Sequence, residues 1–314
     1  MSQNKIIDHL FRHQYGKMVS ILTRIFGFSN LEIIEDAVQD TFLKATHTWK
    51  DSIPENPEAW LTQAAKNRVI DIFRKIKADT ARIQKLESGP STIALNNLFL
   101  DHEIEDSQLR MIFACCHPEL QPKDQIAFAL KTISGFSQKE IAASLLTKEE
   151  SIKKRLQRAR KTIVENNIKL EIPSGKELTE RIDSVLQVIY LIFNEGFHSN
   201  NAETLVRKDL CGEALRLCKM LLKKPHTATS EAYALFALMC FHSARLESKL
   251  NDDHAIVDIK HQDRTRWYQP LINLGNSAMD KAVESDVLSG FHYEAAIAAA
   301  HIKARTVEEP NWET

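Results

Sequence analysis

Glycine and proline are scarce in this chain, nine of each among 314 residues. So few turn-formers weigh against a loop-rich fold and favour long helices, so an all-α protein is expected. No apolar run reaches the roughly 18 to 20 residues of a bilayer span. The N-terminal MSQNKIIDHL lacks the basic start and apolar stretch of a secretion signal, so a cytoplasmic protein with no membrane partner is expected. The five cysteines, at 115, 116, 211, 218 and 240, contain no CxxC pair. Their odd number argues against a disulfide framework and for buried thiols. Glycine-rich phosphate loops, nucleophile elbows and HExxH motifs are all missing, which excludes the common enzyme signatures; neither an enzyme nor a cofactor is expected. Cys115, Cys116 and His117 offer thiolate and imidazole, but adjacent cysteines suit a tetrahedral site poorly and no second pair exists. Core packing accounts for them, and no metal is expected.

A positive excess, usual in nucleic-acid binders, is also missing: 41 Lys and Arg face 42 Asp and Glu, for a net charge of -1. The distribution matters more. Lys66 to Lys85 holds seven basic residues against two acidic ones, Lys148 to Lys161 again seven against two, and Asp101 to Asp106 between them is acidic. At this length two or three small domains are expected.

Apolar residues at helical spacing from Ile6 to Phe28 predict one or two amphipathic helices. A further helix starts near Ser29 or Asn30, either a suitable cap, with Ile33, Ala37, Val38, Thr41, Phe42 and Ala45 inward. Glu35, Asp36, Gln39 and Asp40 are left on or near its outside, an acidic-polar surface. Asn56 is a candidate N-cap with Pro57 at the first helical position. In the helix that follows, Trp60, Leu61, Ala64, Ala65, Val69, Ile72 and Phe73 form the buried stripe. Lys66, Asn67, Arg68, Asp71, Arg74 and Lys75 are assigned to its polar side, which fits a plain domain face and a DNA surface equally well: Asn67 and Asp71 for base edges, the cations for backbone.

Periodicity then fades. A Ser-Gly-Pro-Ser break at 88–91 and the acidic run point to a flexible linker over 81–106. Within 107–172, two S/T-x-x-E capping boxes, Ser137 to Glu140 and Thr147 to Glu150, mark two helix starts across a tight turn. This is the sequence form of a helix-turn-helix. On its second helix Ile152, Leu156, Ala159 and Ile163 step by four, three and four, fixing the buried side. Lys153, Lys154, Arg155, Gln157, Arg158, Arg160 and Lys161 are spread over the rest, where Arg and Lys can read guanine or hold phosphates and Gln can pair with adenine. A solvated basic helix is the plainer reading of such a run; the paired boxes favour DNA binding. After IPSGKE, broad apolar faces predict helices at 179–195, 203–223 and 229–248, then an alternating HAIVDIK, then helices at 263–285 and 291–306. Helical hairpins stacked as in tetratricopeptide repeats suit these faces. Asn194, Glu195, His198, Arg207 and Asp209 are assigned to helix packing, although a ligand-sensing pocket there is open.

EDAVQDTFLKA, followed by PEAWLTQAAKNRVIDIFRK, resembles the second sigma domain of extracytoplasmic-function sigma factors of RNA polymerase, and the helix-turn-helix ending in KRLQRARKTI resembles their fourth. RMIFACCHPEL, YLIFNEGF, LVRKDLCGEALRLCKMLL, HQDRTRWYQPLI and YEAAIAAAHIKA resemble the group of these factors with a tetratricopeptide-like extension. The resemblance implies sigma domain two at 1–80, the linker, sigma domain four at 107–172 and a regulatory helical extension at 178–314. It further implies that Glu35, Asp36, Gln39 and Asp40 dock on the beta-prime coiled coil of core RNA polymerase, with the beta flap as a second contact. The loop from Trp49 to Asn56 and the helix after it would open the minus-ten element, and the recognition helix would read the minus-thirty-five element. A regulatory protein or ligand would act at the extension. Where that group usually carries Asp-Gly, this sequence has Asn251-Asp252-Asp253-His254, and the resemblance leads one to expect further helices where the sequence stops at Trp312-Glu313-Thr314. The rival reading is a stand-alone helix-turn-helix regulator with a helical sensor; a scaffold built on the repeats is a third.

Overall fold

The computed structural model describes residues 3–50, 52–81, 101–198, 206–251 and 255–304. Apart from connecting loops and turns these residues are helical; the alternating HAIVDIK contributes only an isolated antiparallel bridge between Leu250 and Ile256. The chain forms two compact units, Met1–Glu177 and Leu178–Thr314.

The first unit contains α1 (Gln3–Phe26), α2 (Leu31–Thr48), α3 (Pro57–Ala81), α4 (Asp101–Cys115), α5 (Pro122–Ser134), α6 (Gln138–Ser144) and α7 (Glu149–Glu165). The N-terminal stretch is a single helix, α1, whose Ile7, Leu10, Tyr15, Met18, Ile21 and Leu22 are buried. It is the hub of the unit, packed against α2, α3, α4 and α5. At Gly16 the approach is closest: a Cβ there would lie 1.8 Å from the Ile133 carbonyl oxygen of α5, so only glycine admits this contact. Asn56 caps α3 as expected, its side-chain oxygen accepting from the Ala59 N–H at 3.0 Å. Asn30 stands at the N-cap of α2 without a side-chain cap, its amide donating instead to the Phe26 carbonyl.

Two expectations are corrected here. The acidic run, expected in a linker reaching to 106, opens α4, where Arg24 at the end of α1 holds Glu103 at 2.5 Å and Asp106 at 3.7 Å. A cation at a helix C-terminus and acids at a helix start each favour the local dipole, so the charge pattern builds helix rather than coil. The rest of that expected linker, 82–100, lies outside the described residues. On α2 Ala37, Val38, Thr41, Phe42 and Ala45 are buried as expected, but Ile33 is only partly so, and Leu31 and Ile34 fill the inward face at that end.

The second unit contains α8 (Lys176–Phe197) from Leu178 onward, α9 (Lys208–Leu222), α10 (Ser230–Ala244), α11 (Gln269–Ala282) and α12 (Gly290–Lys303). SEAYALFALMCFHSA is apolar all round, and such a helix belongs at a centre. Accordingly α10 packs on α9, α11 and α12, while Phe193 and Phe197 of α8 face its His242. All five cysteines are buried and free, and burial pushes the Cys115 and Cys218 thiols well up.

Candidate nucleic-acid and polymerase interfaces

The helix-turn-helix is built from α6, α7 and the turn between them. Ser137 and Glu140 form the expected reciprocal box: the Glu140 N–H donates to Ser137 Oγ at 3.2 Å and the Ser137 N–H to Glu140 Oε2 at 2.8 Å. The second expected box does not form. Thr147 is taken up in closing α6, its N–H donating to the Ala142 carbonyl at 2.9 Å while the Leu146 N–H reaches Ala143, with Leu146 left-handed at φ 47. These six-to-one and five-to-two bonds satisfy carbonyls that α6 would otherwise leave open. Helix α7 therefore starts one residue later, at an N-cap Lys148 with no side-chain bond.

Ile152, Leu156, Ala159 and Ile163 are all buried on α7, as the spacing predicts. Each large one contributes roughly 1.5 to 3 kcal/mol of apolar burial. Lys153, Lys154, Gln157, Arg158 and Lys161 are exposed and Arg155 is half-buried. Lys154, Arg155 and Arg158 line one cleft of about 590 Å³ at the start of α5, together with Lys123 and Asp124. Helix N-termini and clustered cations both favour phosphate oxygens. Arg158 is anchored there by a bidentate pair with Asp124 at 2.8 and 3.0 Å. That partner was not legible locally, lying 34 residues away.

Arg160 behaves differently from its neighbours. It turns inward, its Nη2 2.6 Å from Glu35 of α2 and its Nη1 3.6 Å from Glu32, while Thr132 donates to Glu35 at 3.3 Å. Glu35, assigned to the outer surface of α2, is thus only 1 % exposed. Burial raises its carboxyl above the ordinary value, opposed by Arg160. Asp36 and Asp40 are exposed and Gln39 is half-buried.

On α3, Asn67, Arg68 and Asp71 line a second cleft, of about 760 Å³, shared with Asp40 of α2 and with Trp60. Arg68 reaches Asp40 at 2.9 Å, and Gln63 donates to Asn67 at 2.9 Å. Arg74 and Lys75 are exposed farther along, Arg74 being 3.7 Å from Asp71. Lys66, placed on the polar side by sequence, is 5 % exposed. Its position follows directly on buried Ala65, at the edge of the stripe, and packing covers it.

Comparisons with known proteins fall on these elements. Residues 4–78 match Sigma-70 region 2, residues 110–163 match Sigma-70, region 4, and residues 181–283 match a family of unknown function (DUF6596). The chain is 33% identical over 292 residues to uncharacterized protein R00370 of Rhizobium meliloti, spanning 91% of this chain and 68% of that one. It is 24% identical over 156 residues to the ECF RNA polymerase sigma factor SigE of Mycolicibacterium smegmatis, covering 50% of this chain and 59% of SigE. It is 27% identical over 152 residues to the ferric citrate uptake sigma factor FecI of Escherichia coli, covering 48% and 85%. No solved structure matches. Among the described residues no helix is long and apolar enough to cross a membrane. With both sigma regions present in order on the clefts just described, the chain belongs to the ECF sigma-70 family, a non-enzymatic family of promoter-recognition factors, and carries a C-terminal DUF6596 extension.

Proposed function

We propose that this chain recruits core RNA polymerase to promoter DNA and starts transcription, with its C-terminal unit as the regulator of that activity. The observation that carries the reading is the split of α7 into four buried apolar positions and an outward cationic face beside the start of α5. In this reading α7 reads the minus-thirty-five element through Lys153, Lys154, Arg155, Gln157, Arg158 and Lys161, while the beta flap steadies the helix-turn-helix. Asn67, Arg68 and Asp71, in the cleft beside Trp60, receive an unstacked base of the minus-ten element, with Arg74 and Lys75 on the backbone. Flipping a base costs a few kcal/mol, which a preformed pocket and phosphate contacts offset. Asp36, Gln39 and Asp40 face the beta-prime coiled coil; Glu35 joins them only when Arg160 releases it. The C-terminal helices, read as tetratricopeptide-like hairpins, receive the regulatory partner or ligand.

In vitro transcription with purified core polymerase and a promoter library tests this. The expected result is tight association with core enzyme and transcripts from a defined promoter subset. A protein that neither binds core polymerase nor initiates on any template, or that binds isolated duplex tightly unaided, would refute it.

A further inference from the structure

The second unit holds a cluster of cations with no carboxylate in ion-pair contact among the described residues. Arg245 closes α10, and Lys249 follows one short 3-10 turn later, both facing a cleft of about 430 Å³ that α12 also lines. Lys249 is 3 % exposed. Its ammonium donates to the Phe197 carbonyl, stands 3.4 Å from His198 Nδ1 and sits 3.3 Å from the centre of the Phe197 ring. The Arg245 guanidinium lies 5.1 Å from that same ring, reaches Gln262 Oε1 at 3.5 Å and meets His242 Nδ1 at 3.1 Å. Every one of these partners is neutral. Two carboxylates line the cleft: Glu294 accepts from the Tyr190 hydroxyl at 2.7 Å, and Asp258 acts on Arg245 without forming an ion pair among the described residues. His198, His242 and His301 complete the basic lining.

Cations withdrawn from water and left without an anion are costly, and they respond as these do. Burial, aided by Arg245, brings Lys249 down to about 8; burial brings Arg245 down to about 10 against the pull of Asp258; burial with Arg245 and Lys249 holds His242 near 3. A purely structural cluster would place a carboxylate in contact, as Arg158 has Asp124 and Arg160 has Glu35. Here no carboxylate among the described residues plays that part, and the cleft offers the place for an anion from solution. The guanidinium fork suits the paired oxygens of a carboxylate or phosphate. Phe241, Ile297 and Ile302 supply an apolar wall, and convergent polar groups on such a wall characterise small-molecule sites of this size.

We propose that this cleft binds a small organic anion, a carboxylate or phosphate monoester with an apolar body, whose charged end Arg245 and Lys249 hold. The ligand deepens the regulatory role given to the C-terminal unit, but its binding is measured without polymerase, so either idea can fail alone. The test is thermal unfolding and calorimetry of the full chain with sodium benzoate, phenyl phosphate, inorganic phosphate and, at matched ionic strength, sodium chloride. Benzoate, phenyl phosphate or both should raise Tm saturably, by roughly 3 to 6 °C at about ten times Kd, with chloride inert. Which of the two acts identifies the anionic head. Lys249→Met and Arg245→Met should each abolish the shift. Ile297→Trp, at a half-exposed position of the wall, should weaken it about tenfold with the cations intact, which covers the case of a Met variant that does not fold. The proposal is overturned if neither organic anion gives a saturable shift, if the shift survives in the folded variants, or if inorganic phosphate equals phenyl phosphate.

Discussion

Replacing Arg160 by Met tests how the first unit is held together. The change removes the cation 2.6 Å from Glu35 while keeping most of the side chain's apolar length, and Glu35 at 1 % exposure cannot turn to water without parting α7 from α2. A buried charge stripped of its partner costs about 3 to 5 kcal/mol. The carboxylate can escape this by taking a proton. At pH 7, protonating a group whose ordinary value is 4.5 costs about 3.4 kcal/mol at 1.36 kcal/mol per pH unit, so the loss is capped at about that figure. For a unit of this size the loss lowers Tm by roughly 7 to 14 °C. The sign with pH follows from the direction of the shift. The Glu35 carboxyl is already raised when folded, so the folded state holds the proton more tightly than the unfolded chain, and stability falls as pH rises above the ordinary value. Without Arg160 the folded value rises further and the window widens. Melting curves of Arg160→Met and wild type at pH 5, 6, 7 and 8 should therefore diverge with rising pH, and adding Glu35→Gln should recover most of the difference. A gap that is equal at pH 5 and pH 8, or that stays under about 1 kcal/mol at pH 8, would refute the burial argument.

On α7, Lys154→Ala should leave Tm unchanged and weaken promoter binding, by roughly 1 to 3 kcal/mol for a base contact or with a salt slope smaller by about one for a phosphate contact. Arg158→Ala should do the same and also lower Tm, because Asp124, 2 % exposed, loses its bidentate partner; equal melting of the two variants would show that the pair is idle. Gly16→Ala should destabilise the first unit by about 1 to 3 kcal/mol in urea titrations through the overlap with the Ile133 carbonyl, and a change below about 0.5 kcal/mol would mean that α1 and α5 are not so closely seated.

The helices and the inward side of α7 were legible because a 4-3-4 apolar step is a local signal that burial obeys. What escaped was set by contacts distant in sequence. Glu35 and Arg160 are 125 residues apart, and nothing in either helix alone distinguishes Arg160 from the exposed Arg158. The Thr147 box failed because a motif match ignores competition: the Thr147 N–H had already been claimed by the end of α6. Lys66 shows the limit of a helical wheel, since a position at the rim of the stripe is covered or bare according to neighbours that the wheel does not contain. The cations of the second unit are hidden for the same reason: no local pattern singles out Arg245 and Lys249, and only the fold gathers Phe197, Gln262 and His301 around them.

Glu140 joins two structures that the sequence presents as separate. Its carboxylate accepts the Ser137 N–H that starts α6, and it also accepts Arg12 of α1 at 2.5 Å across 128 residues. Burial works to raise its pKa, but Arg12 and the Ser137 bonds bring it below the ordinary value, so it stays an anion for both partners. Loosening α1 thus weakens the seat of the helix-turn-helix, and by thermodynamic reciprocity whatever steadies the helix-turn-helix must tighten α1 by the same free energy. One shared side chain thus makes the first helix part of the footing of the helix-turn-helix.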